Sequence, residues 1–106
     1  MTQTALNSLL AVGSKATRRK IVAKVDSLLA CRKPEQIGRP LQDDLAGLYR
    51  ITHGRHRIIY EVRRTGRGAS TRVWIIVRIL YVGLRRTGSR RDVYVQVAKL
   101  LRRLRG

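Results

Sequence analysis

The sequence predicts an α+β fold: an N-terminal helical hairpin packed on a small antiparallel β-sheet of about three to four strands, with a C-terminal helix. Three observations predict it. Apolar residues recur at helical spacing from Leu6 to Leu29. From Gly47 the pattern changes to runs rich in β-branched residues, and after Asp92 helical spacing returns. Strands that follow one another through short turns, set apart from the helices, favour antiparallel pairing and the α+β class.

Each element has a local cause. Leu6, Leu9 and Leu10 define a first helix within residues 5–12, and Gly13-Ser14 ends it. Ser14 can cap a second helix that runs to about Leu29, with Ile21, Val22, Val25, Leu28 and Leu29 as its apolar stripe. Arg18, Arg19, Lys20 and Lys24 lie largely off that stripe, and Pro34 stops the helix. So short a break makes residues 1–31 a helical hairpin.

Residues 48–52 read as a short strand, His53-Gly54-Arg55 as a turn, and residues 56–63 as a second strand. A basic glycine-containing loop follows from Arg64 to Ser70. Residues 72–82 are the strongest strand signal and close a sheet spanning 47–82. Their apolar residues fall on both faces, which predicts a central strand. Gly83 to Arg91 is a second basic loop. Asp92 can cap a final helix over 92–105, with Val93, Val97, Leu100, Leu101 and Leu104 as its core stripe. No internal repeat is visible, and 106 residues fit one domain, 1–106.

The charge narrows the function. Lys and Arg number 24 against 6 Asp and Glu, a formal net charge of +18. The basic residues spread from Arg18 to Arg105, so the charge belongs to the fold and not to a tail. Self-repulsion of that size is relieved by an anionic partner. Nucleic acid is the first candidate, an acidic protein the second and an anionic membrane surface the third. Arginine dominates, which suits a shaped phosphate site, although a GC-rich genome produces the same bias.

Cys31 is the only cysteine, so there is no disulfide framework and a reducing compartment fits. No apolar run approaches the ~20 residues of a spanning helix. A cytoplasmic protein is expected, with no membrane partner. The acids are Asp26, Glu35, Asp43, Asp44, Glu61 and Asp92, and only Asp43-Asp44 are adjacent. No metal site and no cofactor are expected from that set.

Three stretches carry a family resemblance. The first is Arg39-Pro40-Leu41 followed by Gly47-Leu48-Tyr49-Arg50-Ile51. The second is Gly54-Arg55-His56-Arg57-Ile58-Ile59-Tyr60-Glu61-Val62. The third is Val82-Gly83-Leu84-Arg85 leading to Arg91-Asp92-Val93-Tyr94. Their order and spacing resemble the RelE/ParE toxin superfamily, and within it the RelE-type mRNA interferases of type II toxin–antitoxin systems. The resemblance implies a ribosome-dependent endoribonuclease that cleaves mRNA in the ribosomal A site by metal-independent 2′-OH attack. It implies a cognate antitoxin as partner, the ribosome and mRNA as target, and operator DNA bound only through the antitoxin complex.

Residue by residue, the resemblance places Arg50, Arg57 and Arg85 as catalytic cations, Tyr94 as a base-stacking or proton-transfer group, and His53 in the position of a second basic residue. Arg50 and Arg57 lie on adjacent strands and can reach one phosphate; the plainer reading is solvated charge on an outer sheet face. Arg55, Arg86, Arg90 and Arg91 are RNA-binding candidates. Two other readings stay open: a ParE-like toxin that inhibits DNA gyrase by binding, and a non-catalytic basic RNA- or ribosome-binding protein. One fold serves both toxin branches, and Arg50, Arg57 and Tyr94 together favour the RelE type.

Overall fold

The computed structural model describes residues 1–65 and 74–105. The elements are α1 (Gln3–Leu10), α2 (Lys15–Leu29), β1 (Arg39–Pro40), β2 (Leu48–His53), β3 (His56–Thr65), β4 (Trp74–Leu84) and α3 (Val93–Arg105). Two short 3-10 turns, Pro34–Gln36 and Asp43–Leu45, sit around β1. The strands form one sheet in the order β1-β2-β3-β4, antiparallel throughout. The α+β class, the hairpin on the sheet and the C-terminal helix are as the sequence predicts.

The helix caps are those the sequence supplies. The Ser14 hydroxyl accepts from the Thr17 amide at the start of α2. Thr2 caps α1 by accepting from the Ala5 amide, and its hydroxyl also donates to the Ile79 carbonyl at 2.9 Å. The Thr2 amide donates to the same carbonyl. Further along α1, the Ser8 hydroxyl accepts from the Val82 amide at 2.9 Å. These bonds satisfy outer-edge backbone groups of β4 and seat α1 along that edge.

Each face of the sheet has its own core. On one face Ile58, Tyr60, Ile79 and Val82 pack with Ala5, Leu9, Val12, Ile21, Val25 and Leu28 of the hairpin. On the other, Leu48, Ile59 and Leu80 pack with Val93 and Val97 of α3. A bulge lets β4 serve both. Ile59 pairs with Tyr81 but Tyr60 pairs with Ile79, so Leu80 is the extra residue. The side-chain alternation therefore shifts by one, and Val77, Ile79 and Val82 all join the hairpin face.

Two expectations change. The strand read as central, 72–82, is β4 at 74–84, and it lies at the edge of the sheet. Its apolar residues on both faces report cover by α1 on one side and α3 on the other, not strands on both flanks. Residues 72 and 73, and the basic loop from Gly66 on, lie outside the described residues. The sheet also begins at Arg39 and not at 47, because β1 is a two-residue strand with both residues exposed. No helix of the described residues is long and apolar enough to cross a membrane.

Tyr60 ties the segment after α2 to the sheet. Its ring stacks on Tyr49, with centroids 5.4 Å apart. Its hydroxyl donates to the Pro34 carbonyl at 2.7 Å and accepts from the Gly38 amide at 2.9 Å. Removing the hydroxyl strands both partners, so Tyr60→Phe is expected to cost about 1–3 kcal/mol. Urea unfolding should show a lower midpoint with an unchanged slope; an unchanged midpoint would disprove the anchoring role.

Candidate functional site

The predicted site residues gather at one end of the molecule. The β2–β3 turn and the β4–α3 loop meet there. Gly54 adopts φ +58°, which lets the turn close between His53 and His56. The Arg85 amide donates to the Arg55 carbonyl at 2.9 Å and joins turn to loop. Within the loop, the Ser89 amide donates to the Arg86 carbonyl, the Arg91 amide to the Ser89 hydroxyl, and the Gln96 side-chain amide to the Arg90 carbonyl.

Asp92 holds this loop. It is buried, one carboxylate oxygen accepts from the Arg86 amide, and the other accepts from the Tyr94 amide. It caps α3 as the sequence predicts, and in the same act fixes the path of the loop. Arg85, Arg86, Arg90 and Arg91 are thereby displayed on a defined backbone, with Arg55 beside them, and all five are exposed.

Arg50, Arg57 and Tyr94 lie behind that rim. Arg57 pairs with Thr52, two residues along β2 from Arg50, so both arginines stand on the face that α3 covers. The Arg50 Nη1 donates to the Tyr94 hydroxyl at 3.1 Å. The Arg57 Nη1 donates to the carbonyls of Gly54 and His56 at 2.9 and 3.0 Å. Both side chains are half-buried, and the Nε of each is buried with no hydrogen-bond partner among the described residues. The site thus holds two partly desolvated cations bonded only to neutral oxygens.

Asp92 belongs to this end; the acids that form ion pairs are elsewhere. Glu35 pairs with Arg64 through both oxygens, at 2.8 and 2.9 Å, and the Arg64 hydrogen bond holds the carboxyl below its usual range. Glu61 pairs with Arg78 at 3.0 Å and lies 3.7 Å from Arg63. Among the described residues no carboxylate forms an ion pair with an arginine of the loop end. Nor does any group of three His, Cys, Asp or Glu among them have the arrangement of metal ligands.

A cleft of about 580 Å³ opens beside the loop, lined by Ser8, Val12, His56, Tyr81, Arg86 and Arg91 among others. Sequence reading singled out His53 as the working histidine, yet His56 is the one that lines the cleft. Its pKa lies below the ordinary 6.5, first through burial and then through the charge of His53. Ser8 was also missed: nothing in the sequence brings α1 to the far end of β4.

A family model described as ParE toxin of type II toxin-antitoxin system, parDE, matches residues 1–83. Neither the curated proteins nor the solved structures yield a significant match. The family match overturns the RelE-type expectation. With it go ribosome-dependent mRNA cleavage, endoribonuclease chemistry, and the ribosome and mRNA as partners. The reason for the error is physical. Arginines on an open sheet face and a nearby tyrosine serve binding as well as catalysis, so that set does not separate the two branches. The matched span includes Arg50, His53, Arg55 and Arg57, while Arg85, Arg86, Arg90, Arg91 and Tyr94 follow it.

Two outcomes follow from this geometry. Arg50 is a half-buried cation whose buried Nε has no partner among the described residues, so Arg50→Met should raise stability by about 1 kcal/mol in urea unfolding; a loss of stability would show that its Tyr94 bond outweighs its desolvation. The lowered pKa of His56 means the unfolded chain takes up this proton first as pH falls. Its contribution is therefore fully present above pH 6.5 and lost as pH drops through the folded-state pKa. Between pH 7.5 and 5.5 the urea midpoint of the wild type should fall, and that of His56→Gln should fall less. Parallel declines would exclude His56 as the source.

Proposed function

Because the chain belongs to the ParE toxin family, matched over residues 1–83, we propose that it is the toxin of a type II toxin–antitoxin pair that inhibits DNA gyrase by binding. The family match carries this reading. The geometry of the loop end supports it: among the described residues Arg50 and Arg57 are bonded only to neutral oxygens, and the exposed arginines of the rim stand open to an anionic surface. Such a poison performs no bond chemistry. It needs a rigid, complementary face and a field that speeds encounter, and a charge of +18 on a compact fold supplies the second.

The residues we assign to the gyrase contact are Arg50, Arg57 and Tyr94 on the sheet face, with His53 beside them; Arg55, Arg85, Arg86, Arg90 and Arg91 form the exposed basic rim around that contact. Their role is electrostatic recognition in place of transition-state stabilisation. The cognate antitoxin would cover the same cations with an acidic or amphipathic segment, blocking them by charge and by bulk. Operator DNA would be bound through the antitoxin in that complex. A gyrase inhibitor acts in the cytoplasm, where its target is.

The test is supercoiling of relaxed plasmid by purified gyrase. The wild-type toxin should inhibit, and excess antitoxin should restore activity. Arg50→Ala/Arg57→Ala should raise the half-inhibitory concentration ~10-fold, equivalent to about 1.4 kcal/mol of binding. Full supercoiling in the presence of excess folded toxin would remove the gyrase reading.

A further inference from the structure

The positive charge of this molecule is neutralised unevenly. Among the described residues the carboxylates that form ion pairs, Glu35 and Glu61, serve Arg64, Arg78 and Arg63, and none of these lies at the loop end. On α2, Arg18 donates to the Val12 carbonyl and Lys24 to the Thr52 carbonyl. By contrast, Arg55, Arg85, Arg86, Arg90 and Arg91 are exposed, and none of their guanidinium groups bonds to another group among the described residues. The single acid there, Asp92, is buried and bonded to two backbone amides. Arg50 and Arg57 add two further cations immediately behind.

The chemistry of the missing counter-ion can be narrowed. A protein partner needs apolar anchors at the centre of its contact. Most of the exposed large apolar side chains, among them Leu6, Leu10, Val22 and Leu29, lie on other elements; Val95, on the first turn of α3, is the one that follows the loop directly. The loop exposes Thr87 and Gly88 between its arginines. A surface of bidentate donors with no large aromatic or leucine anchor among its exposed side chains, on a backbone already fixed, fits a row of phosphates better than an acidic helix.

We propose that the loop end, built from Arg55, Arg85, Arg86, Arg90 and Arg91, is a contact surface for the phosphate backbone of duplex DNA, so that the toxin engages gyrase together with its DNA. That the phosphates are those of DNA rests on the gyrase reading. The contact is sequence-independent, because guanidiniums on phosphates carry no base information. Four of the five arginines, Arg85, Arg86, Arg90 and Arg91, follow the matched family span, so the family match does not itself assign this surface.

The experiment is fluorescence anisotropy with a labelled 20-base-pair duplex of arbitrary sequence over a range of salt, without gyrase. The slope of log K against log salt reports the phosphates neutralised, at about 0.9 per contact. Arg85→Ala/Arg86→Ala/Arg90→Ala/Arg91→Ala, removing four contacts, should reduce the slope by about 3.6. Lys15→Ala/Arg19→Ala/Lys20→Ala/Lys33→Ala removes four exposed charges elsewhere and should leave it nearly unchanged. The all-lysine version of the loop variant should restore the slope, which separates charge from folding.

Equal losses in the two alanine variants would overturn the proposal in favour of diffuse attraction. Tighter binding to single-stranded RNA of the same length would overturn the choice of DNA. An absence of binding at 50 mM salt, with tight binding to an acidic antitoxin peptide lost in the loop variant, would assign the surface to protein. DNA binding without any effect on supercoiling would remove the gyrase reading and leave the surface standing. Inhibition with no DNA binding would do the reverse.

Discussion

One carboxylate organises the C-terminal third of this protein. Asp92 is buried, and burial of a charge is costly unless it is hydrogen-bonded. Two backbone amides answer that cost, one from Arg86 in the loop and one from Tyr94 in the first turn of α3. The helix dipole adds to them. The consequence is geometric. The end of β4, the loop and α3 are held in one arrangement, so α3 lies on Leu48, Ile59 and Leu80 and brings its tyrosine to Arg50. Without that cap the loop would lose its bond to the start of α3, and the second core would lose the cap of its helix.

Around this fixed frame the molecule tolerates poor internal compensation. The guanidinium Nε atoms of Arg50 and Arg57 are buried without acceptors, an arrangement that lowers stability and that selection for folding alone would remove. The two cores, one on each face of the sheet, supply the stability that offsets it. These Nε atoms lack internal acceptors among the described residues while the two cores are complete without them, and this division suits the binding role proposed above.

The helices were legible because each carries its own signals. Ser14 and Asp92 are caps, and Ile21, Val25 and Leu28 or Val93 and Val97 mark single stripes. The β2–β3 hairpin was legible from His53-Gly54 and its flanking β-formers. β1 was not, since two exposed residues leave no periodicity to read. The place of β4 was misread because burial on both faces looks the same in sequence whether strands or helices cause it. In the site, the sharing of one face by Arg50 and Arg57 followed from the hairpin. The contact between Arg50 and Tyr94, 44 positions apart, did not. The choice between toxin branches lay beyond these motifs, because both branches build the same sheet and differ in what its surface meets.

The seating of α1 on β4 also sets an order of events during synthesis. Thr2 bonds to Ile79 across 77 positions and Ser8 to Val82 across 74. The first helix is made early and its docking groups are made late. Until β4 has emerged, Ala5 and Leu9 lack Ile79 and Val82, the residues that complete their core. Such long-range closure slows folding and leaves apolar surface uncovered meanwhile. A nascent chain that stops before residue 79 therefore cannot seat α1 on β4, so the protein completes its hairpin-side core only once most of it has been translated.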